Sequence, residues 1–223
     1  MAARFCLFCA LILSARAISP DWLPSLTVWN VGQGQWVTLS DDSGCWHFDT
    51  GGEFAPWPAI MSLCRRRANF VWLSHWHWDH FSFVGGVRRN LPDSCFLGLP
   101  PGSVRERKQP ALRDSIDCAK RINFESWAGE EEGTANERSR IALFRDVLIP
   151  GDSTRAQEKR WVRELAGMNR ARILILGHHG SRTSTSKILA ANIPNVRMAI
   201  ASARFRRYGH PHREVERRMR EKR

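Results

Sequence analysis

The stretch SHWHWDH, Ser74 to His80, sets three histidines and an aspartate within six positions and interleaves them with two tryptophans. Desolvating so many titratable groups together is costly unless something compensates them, and a divalent cation does so. Imidazole nitrogen and carboxylate oxygen are ligands that zinc, manganese and iron accept. The preceding run, Phe70 to Leu73, is apolar and partly β-branched, which reads as a buried strand. If the extended backbone persists past Ser74, alternation puts His75, His77 and Asp79 on one side. Trp76 and Trp78 then face the other way, into packing. His80 can swing back where the chain turns toward Gly85-Gly86.

Outward from this stretch, ligand-type residues recur at the ends of apolar runs. LTVWNVGQGQWVTL, residues 26–39, reads as two strands around a tight Gly32-Gln33-Gly34 turn. It is not a dinucleotide fingerprint, since the third glycine is absent and no helix follows. Trp46 to Asp49 is a short strand running into Thr50-Gly51-Gly52, and residues 57–67 suit a helix covering it. Residues 92–137 are polar and irregular, with one short strand expected near Ile122–Phe124. SRIALFRDVLI, residues 139–149, reads as a strand or strand pair ending at Pro150-Gly151-Asp152. Residues 156–168 look helical, with Asp152-Ser153 supplying the N-cap. Arg172 to Leu176 is the clearest buried strand and runs into Gly177-His178-His179-Gly180-Ser181. A further strand, residues 196–201, precedes Tyr208-Gly209-His210-Pro211, and residues 213–223 suit a solvated helix. Alternating strands and helices suggest α/β layers.

At 223 residues the chain suffices for one domain with a substantial core. Residues 1–17 carry Arg4, an apolar run and a closing Ala15-Arg16-Ala17, the layout of a secretory signal peptide, with a remnant membrane helix as the rival. Residues 18–223 would then form the working domain. No later segment is apolar enough to span a bilayer, so stable membrane insertion is not expected once the leader is cleaved. Export, to a periplasmic or extracellular space, would let Cys45, Cys64, Cys95 and Cys118 form two disulfides in any of three connectivities; free buried thiols are the alternative. The net charge is +12, and residues 197–223 hold ten Lys or Arg against three glutamates. Such a balance suits a polyanionic partner.

At these residues the sequence resembles the metallo-β-lactamase superfamily. His75-x-His77-x-Asp79-His80 matches its HxHxDH motif, Phe48-Asp49-Thr50-Gly51 its DTG element, and Pro150-Gly151-Asp152 the position of its bridging aspartate. The resemblance is closer to the extracytoplasmic domain of ComEC-type DNA-uptake proteins. Val31-Gly32-Gln33-Gly34, Gly151-Asp152, His178-His179-Gly180-Ser181 with Ser184, and Tyr208-Gly209-His210-Pro211 occur in that family's order. The resemblance implies a single-domain, four-layer αββα sandwich binding two divalent metal ions, Zn²⁺ or Mn²⁺. It implies His75 and His77 on one cation, Asp79 and His80 on the other, Asp152 bridging, and His178 or His179 completing the second site. Asp49 would orient the ligand loop. Asp79, His210 and Tyr208 are the catalytic candidates, the last two by protonating the leaving oxygen or binding phosphate. Ser181 and Ser184 would cap the next helix or touch substrate. Arg182, Arg204, Arg206 and Arg207 are candidate phosphate contacts, because guanidinium suits bidentate binding.

The sequence departs from that pattern at three places. Asn30 and Gln35 stand where ComEC-type chains carry aspartates, His77 stands where they commonly carry one, and no histidine lies between His80 and His178. The expected activity is metal-assisted hydrolysis of a phosphodiester, most simply in single-stranded DNA. Hydrolysis of a small ester, lactam or envelope phosphodiester, and a degenerate nucleic-acid-binding module, are the competing readings. Trp57 and Trp127, if exposed, could stack on bases.

Overall fold

The computed structural model describes residues 24–102, 117–118 and 124–221; the leader read over residues 1–17 lies outside them. Strands β1 (Ser25–Val28), β2 (Val37–Asp41), β3 (Gly44–Phe48), β4 (Asn69–Trp72) and β5 (Ser94–Phe96) form one sheet in sequence order. Strands β6 (Glu125–Trp127), β7 (Ile141–Phe144), β8 (Val147–Ile149), β9 (Ile173–Ile175) and β10 (Met198–Ile200) form the other, in the order β10-β9-β8-β7-β6. In each sheet two antiparallel pairings at one edge give way to two parallel pairings at the other: β3, β4 and β5 run parallel, as do β8, β9 and β10.

Strand alternation explains the layering, because successive side chains point to opposite faces. Along β3 and β4, Trp46, Phe48, Phe70 and Trp72 enter the core between the sheets, where Ala142, Phe144, Val147, Ile149 and Ile175 meet them. The intervening Cys45, Val71 and, just past β4, Leu73 face outward, onto Ile60 of α1 (Trp57–Cys64), Phe81 of α2 (Trp78–Phe81) and Val87 of α3 (Val84–Asn90). On the second sheet Ile141, Leu143, Leu148 and Leu174 face outward in the same way. They pack under Trp161 of α4 (Arg155–Glu164), Leu189 of α5 (Lys187–Asn192) and Val215 of α7 (Arg213–Glu221). Both sheets are thus apolar on both faces, and the result is a four-layer αββα sandwich, the architecture that the metallo-β-lactamase resemblance implies. No helix among the described residues is long and apolar enough to cross a membrane.

Several local expectations are corrected. The extended backbone does not persist past Ser74. The strand ends at Trp72, His77 sits in extended conformation at the N-cap of α2, and Asp79 and His80 lie within that helix. Trp78 is therefore 51% exposed rather than packed, whereas Trp76 packs on Phe81 and donates to the Pro100 carbonyl. The N-cap of α4 is Thr154, with Gln157 reaching back to its amide, so Asp152 and Ser153 lie ahead of the helix. Ser186, not Ser181 or Ser184, caps α5. The described part of the polar region holds two short strands rather than one, β5 at Ser94–Phe96 and β6 at Glu125–Trp127 just beyond Phe124, and Ile122 lies outside the described residues. Trp57 packs edge-on against Trp36, and Trp127 donates to Glu164, so neither is a free stacking surface.

Among the described residues the cysteines pair as Cys45–Cys64, tying β3 to the end of α1, and Cys95–Cys118. Cys45 and Cys64 flank His47, a ligand-like trio, but the disulfide consumes both thiols. His47 is instead a satisfied neutral core residue. Its Nδ1 accepts from Trp36 Nε1 (3.1 Å) and lies 2.9 Å from the Thr38 hydroxyl, while Nε2–H donates to Asn69 Oδ1 (3.0 Å). Burial pulls its pKa from 6.5 to about 4, and the Asn69 hydrogen bond offsets only part of that. Between those two values the unfolded chain binds a proton that the folded chain refuses, so stability falls as pH drops through this window. The loss attributable to His47 is about 3 kcal/mol, complete near pH 4 and absent above pH 6.5. Urea midpoints of the wild type and His47→Gln, compared from pH 7 to pH 4, measure it. Parallel curves would refute the assignment.

Candidate metal centre

The loops after β3, β4, β8 and β9 converge on one edge of the sandwich, because these strands run parallel and end together. Asp49 and Thr50 follow β3, Ser74 to His80 follow β4, Asp152 follows β8, and His178 and His179 follow β9. Two close approaches make this convergence possible. A methyl group on Gly51 would lie 2.4 Å from the backbone between Asp79 and His80, so only glycine lets α2 seat on this loop. Gly151 adopts φ +52°, and a Cβ there would meet the Ser74 side chain at 2.8 Å.

The Asp152 carboxylate is the hub. Its Oδ1 lies 3.1 Å from His80 Nε2 and 3.8 Å from His179 Nε2, and its Oδ2 lies 3.7 Å from both His75 Nε2 and His178 Nε2. Asp79 Oδ2 is 3.2 Å from His179 Nε2, which in turn is 3.3 Å from His80 Nε2. Two overlapping donor sets result: His75, His80 and Asp152, and Asp79, His80 and His179, each within 4.8 Å. The second set is the implied one, with His179 completing it. The first differs: His80 joins it as well, and His77 stands in neither set, its ring 4.7 Å from that of His75.

The donor atoms fit a divalent cation on a specific observation. His75 Nε2 and Asp152 Oδ1 are buried with no hydrogen-bond partner, a state that costs free energy unless a further group satisfies them. The opposite ring nitrogens are already occupied. Ser202 O takes the proton of His179 Nδ1 (2.8 Å), the Ser74 hydroxyl lies 2.9 Å from His75 Nδ1, and Asp49 Oδ2 lies 2.7 Å from His80 Nδ1. These contacts fix the rings with Nε2 turned inward. Asp49 is held in turn by the Ser74 amide (2.7 Å) and hydroxyl (2.8 Å) and by Gln35 Nε2 (2.8 Å). Gln35 thus has a job that an aspartate could not do, since a carboxylate there would face Asp49.

Electrostatics keep the cluster charged. Burial opposes a charge on His80, but the Asp152 and Asp49 carboxylates outweigh it and raise its pKa well above 6.5. Burial and the neighbouring His80 charge push His75 well below. Burial opposes ionisation of Asp79 and Asp152 as well, yet for Asp79 the His179 hydrogen bond and the His80 charge prevail and hold its pKa at about 2. His80 and His179 likewise keep Asp152 ionised. Backbone strain is concentrated here too. Asp49, His178 and His179 hold φ of 58°, 49° and 56°, left-handed conformations that cost non-glycine residues free energy and tend to persist at functional sites.

The remaining candidates stand outside the two donor sets. His210 is half-buried, its Nδ1 has no partner, and its ring lies 6.2 Å from that of the exposed Tyr208. Tyr208 belongs to the short helix α6 (Phe205–Tyr208). Ser184 donates to the Ser153 carbonyl and Ser181 lies 3.0 Å from the Thr183 hydroxyl, so both brace loops. Arg204 and Arg207 both pair with Glu53 at 2.8 and 3.3 Å, while Arg182 and Arg206 are exposed without a carboxylate partner among the described residues. Ser74, Ser202 and Arg140 were not singled out from the sequence. Ser74 stood in the decisive stretch itself, whereas nothing local marks a carbonyl such as that of Ser202.

No family model matches the sequence. Among solved structures, a diphosphatase from the PhnP family overlays with TM-score 0.49 at 14% identity, over 82% of this chain and 77% of that one. The short form of human tRNase Z overlays with TM-score 0.49 at 15% identity, over 80% and 92%. In sequence the chain is 28% identical over 228 aligned residues to competence protein ComA of Neisseria gonorrhoeae, covering 95% of this chain and 32% of that protein. The chain therefore resembles, over nearly its whole length, about a third of a competence protein.

Proposed function

We propose that the chain is a metal-dependent phosphodiesterase that cuts single-stranded DNA on the outer side of a membrane. The observation that carries the reading is the Asp152 hub, with four inward-facing histidine nitrogens and unsatisfied buried donor atoms. The similarity to a competence protein and the +12 charge support a nucleic-acid substrate. The two disulfides support an oxidising compartment.

His75, His80, His178, His179, Asp79 and Asp152 would hold the metal, with His77 at the open side. When bound, a pair of divalent ions activates a water and offsets charge developing on phosphorus. The chain's own residues do the rest. Asp49 and Ser202 keep Nε2 of His80 and His179 directed inward, Arg182 and Arg206 offer free forks to non-bridging phosphate oxygens, and Arg204 and Arg207 can exchange Glu53 for phosphate. His210, with an unpartnered Nδ1, would pass a proton to the leaving oxygen, and Tyr208 would orient the ester.

The test is cleavage of end-labelled single-stranded DNA by the purified chain with Mn²⁺, with Zn²⁺ and with chelator. Cutting that requires metal and stops with chelator is the expected result. No cutting under any condition by protein that carries bound metal would overturn the nuclease reading and favour a small-molecule ester.

A further inference from the structure

Outside the metal centre, an open groove of 680 Å³ runs between α4, α5 and α7. Arg155, Lys159, Lys187, Arg217 and Arg218 line it, against only Glu214 and Glu221. The two carboxylates are already engaged: Glu214 by Arg155 (3.8 Å) and Arg218 (3.2 Å), and Glu221 by Arg217 (3.7 Å). Lys159 and Lys187 are exposed and have no ion-pair partner among the described residues.

The groove is joined to the metal centre. At Arg155, Ala156 and Glu214 it meets a second depression, lined further by Thr154, Arg182 and Thr183. The Thr183 hydroxyl lies 3.2 Å from His178 Nδ1, and the Arg155 amide donates to the Thr183 carbonyl. A basic trough therefore leads from the His178 rim across the first turns of α4. Its floor is rigid, because buried Glu158 accepts from the amides of Thr185 and Ser186 while Arg218 donates to the carbonyls of Ser184 and Thr185. Ile188, 40% exposed, adds an apolar seat within it.

We propose that this trough binds the sugar-phosphate backbone of a single-stranded nucleic acid, several nucleotides away from the bond being cut. The inference rests on the nuclease reading and extends it to a second contact region. Unpaired lysines above a rigid floor suit phosphates that carry no sequence information, and the exposed Ile188 lets a base lie against the groove without a specific pocket. Such contacts would raise affinity for long strands while leaving the chemistry at the metal centre unchanged.

The test uses the full chain and the double variant Lys159→Glu/Lys187→Glu, with Lys159→Gln/Lys187→Gln as the milder pair. Binding of a fluorescein-labelled 20-nucleotide single strand is followed by anisotropy in chelator, so that the readout is independent of turnover. Hydrolysis of bis(p-nitrophenyl) phosphate with metal is followed separately. The expected result is an affinity loss of about 10-fold or more for the glutamate pair and a salt slope reduced by about two, one per lysine, with hydrolysis of the small diester unchanged. Unchanged affinity and slope in both variants would overturn the proposal. So would lysine-dependent binding of anionic phospholipid vesicles by a chain that ignores the oligonucleotide. Absence of diester hydrolysis in the wild type would instead count against the nuclease reading, leaving the anisotropy result to judge the trough.

Discussion

Asp152→Asn is expected to abolish hydrolysis, with turnover down by more than about 100-fold, beyond the range seen for residues that merely orient ligands. The reason is positional. Asp152 is the one group whose two oxygens face the Nε2 atoms of His75, His80, His178 and His179. An asparagine keeps the volume but removes the charge and replaces one acceptor with an NH₂ donor. That donor would point at nitrogens meant to ligate a cation. His80, whose charge Asp152 and Asp49 share, would keep only Asp49. Bound metal, measured by elemental analysis of the purified variant, should fall below that of the wild type, while far-ultraviolet circular dichroism should match it. Wild-type metal content together with wild-type turnover would remove Asp152 from the centre.

Arg140→Met should produce the largest stability loss. Arg140 is 6% exposed, yet its Nε and Nη2 donate to the Leu73 carbonyl (2.9 and 2.6 Å), and its guanidinium lies 3.6 Å over the Trp72 ring. Weaker bonds reach Leu97 O (3.4 Å) and Gly98 O (3.3 Å), and its own amide donates to Ser74 O (2.9 Å). One side chain therefore clamps the ends of β4 and β5 to the start of β7, directly behind His75. Burial lowers its pKa to about 9, which still leaves it charged at neutral pH. Methionine fills similar space but strands the buried carbonyls, at about 1–3 kcal/mol for each orphaned group. A net loss of about 3 kcal/mol is expected, seen as a drop in Tm on the order of 10 °C by calorimetry. Lysine should not rescue it, since an ammonium cannot fork across several carbonyls over a ring. A Tm within a degree of wild type would show that the clamp is redundant.

Much of this architecture was legible because it rests on local pattern. Runs such as Ile173–Leu176 and Phe70–Leu73 are apolar at consecutive positions, as a strand covered on both faces requires, and both became inner strands of the sandwich. The histidines and aspartates at the ends of those runs stood out because polar residues next to such strands need a reason. What failed was conformation just beyond a strand. Alternation was extended through Ser74 to Asp79, but a short helix seated on Gly51 took over, which exposed Trp78 and turned His80 into the middle of the cluster. Both helix caps lie further along the chain than expected for a similar reason. Ser, Thr and Asp are all good caps, and the choice of Thr154 and Ser186 among them follows from where the helix can dock.

The four-layer αββα arrangement was implied by the family resemblance; the residues by themselves determined the alternation of strands and helices, the strands that carry the candidate ligands and the residue types fit to hold a cation. Those depend on side-chain chemistry and on the period of burial, both written position by position. Only the tertiary structure decided which ligands share a cation site, which cysteines pair, that His47 is an inert core residue, and that Arg140 and Ser202 support the centre. These are contacts between residues 9 to 100 positions apart, where the partner is selected by tertiary packing and nothing in the neighbouring sequence records it.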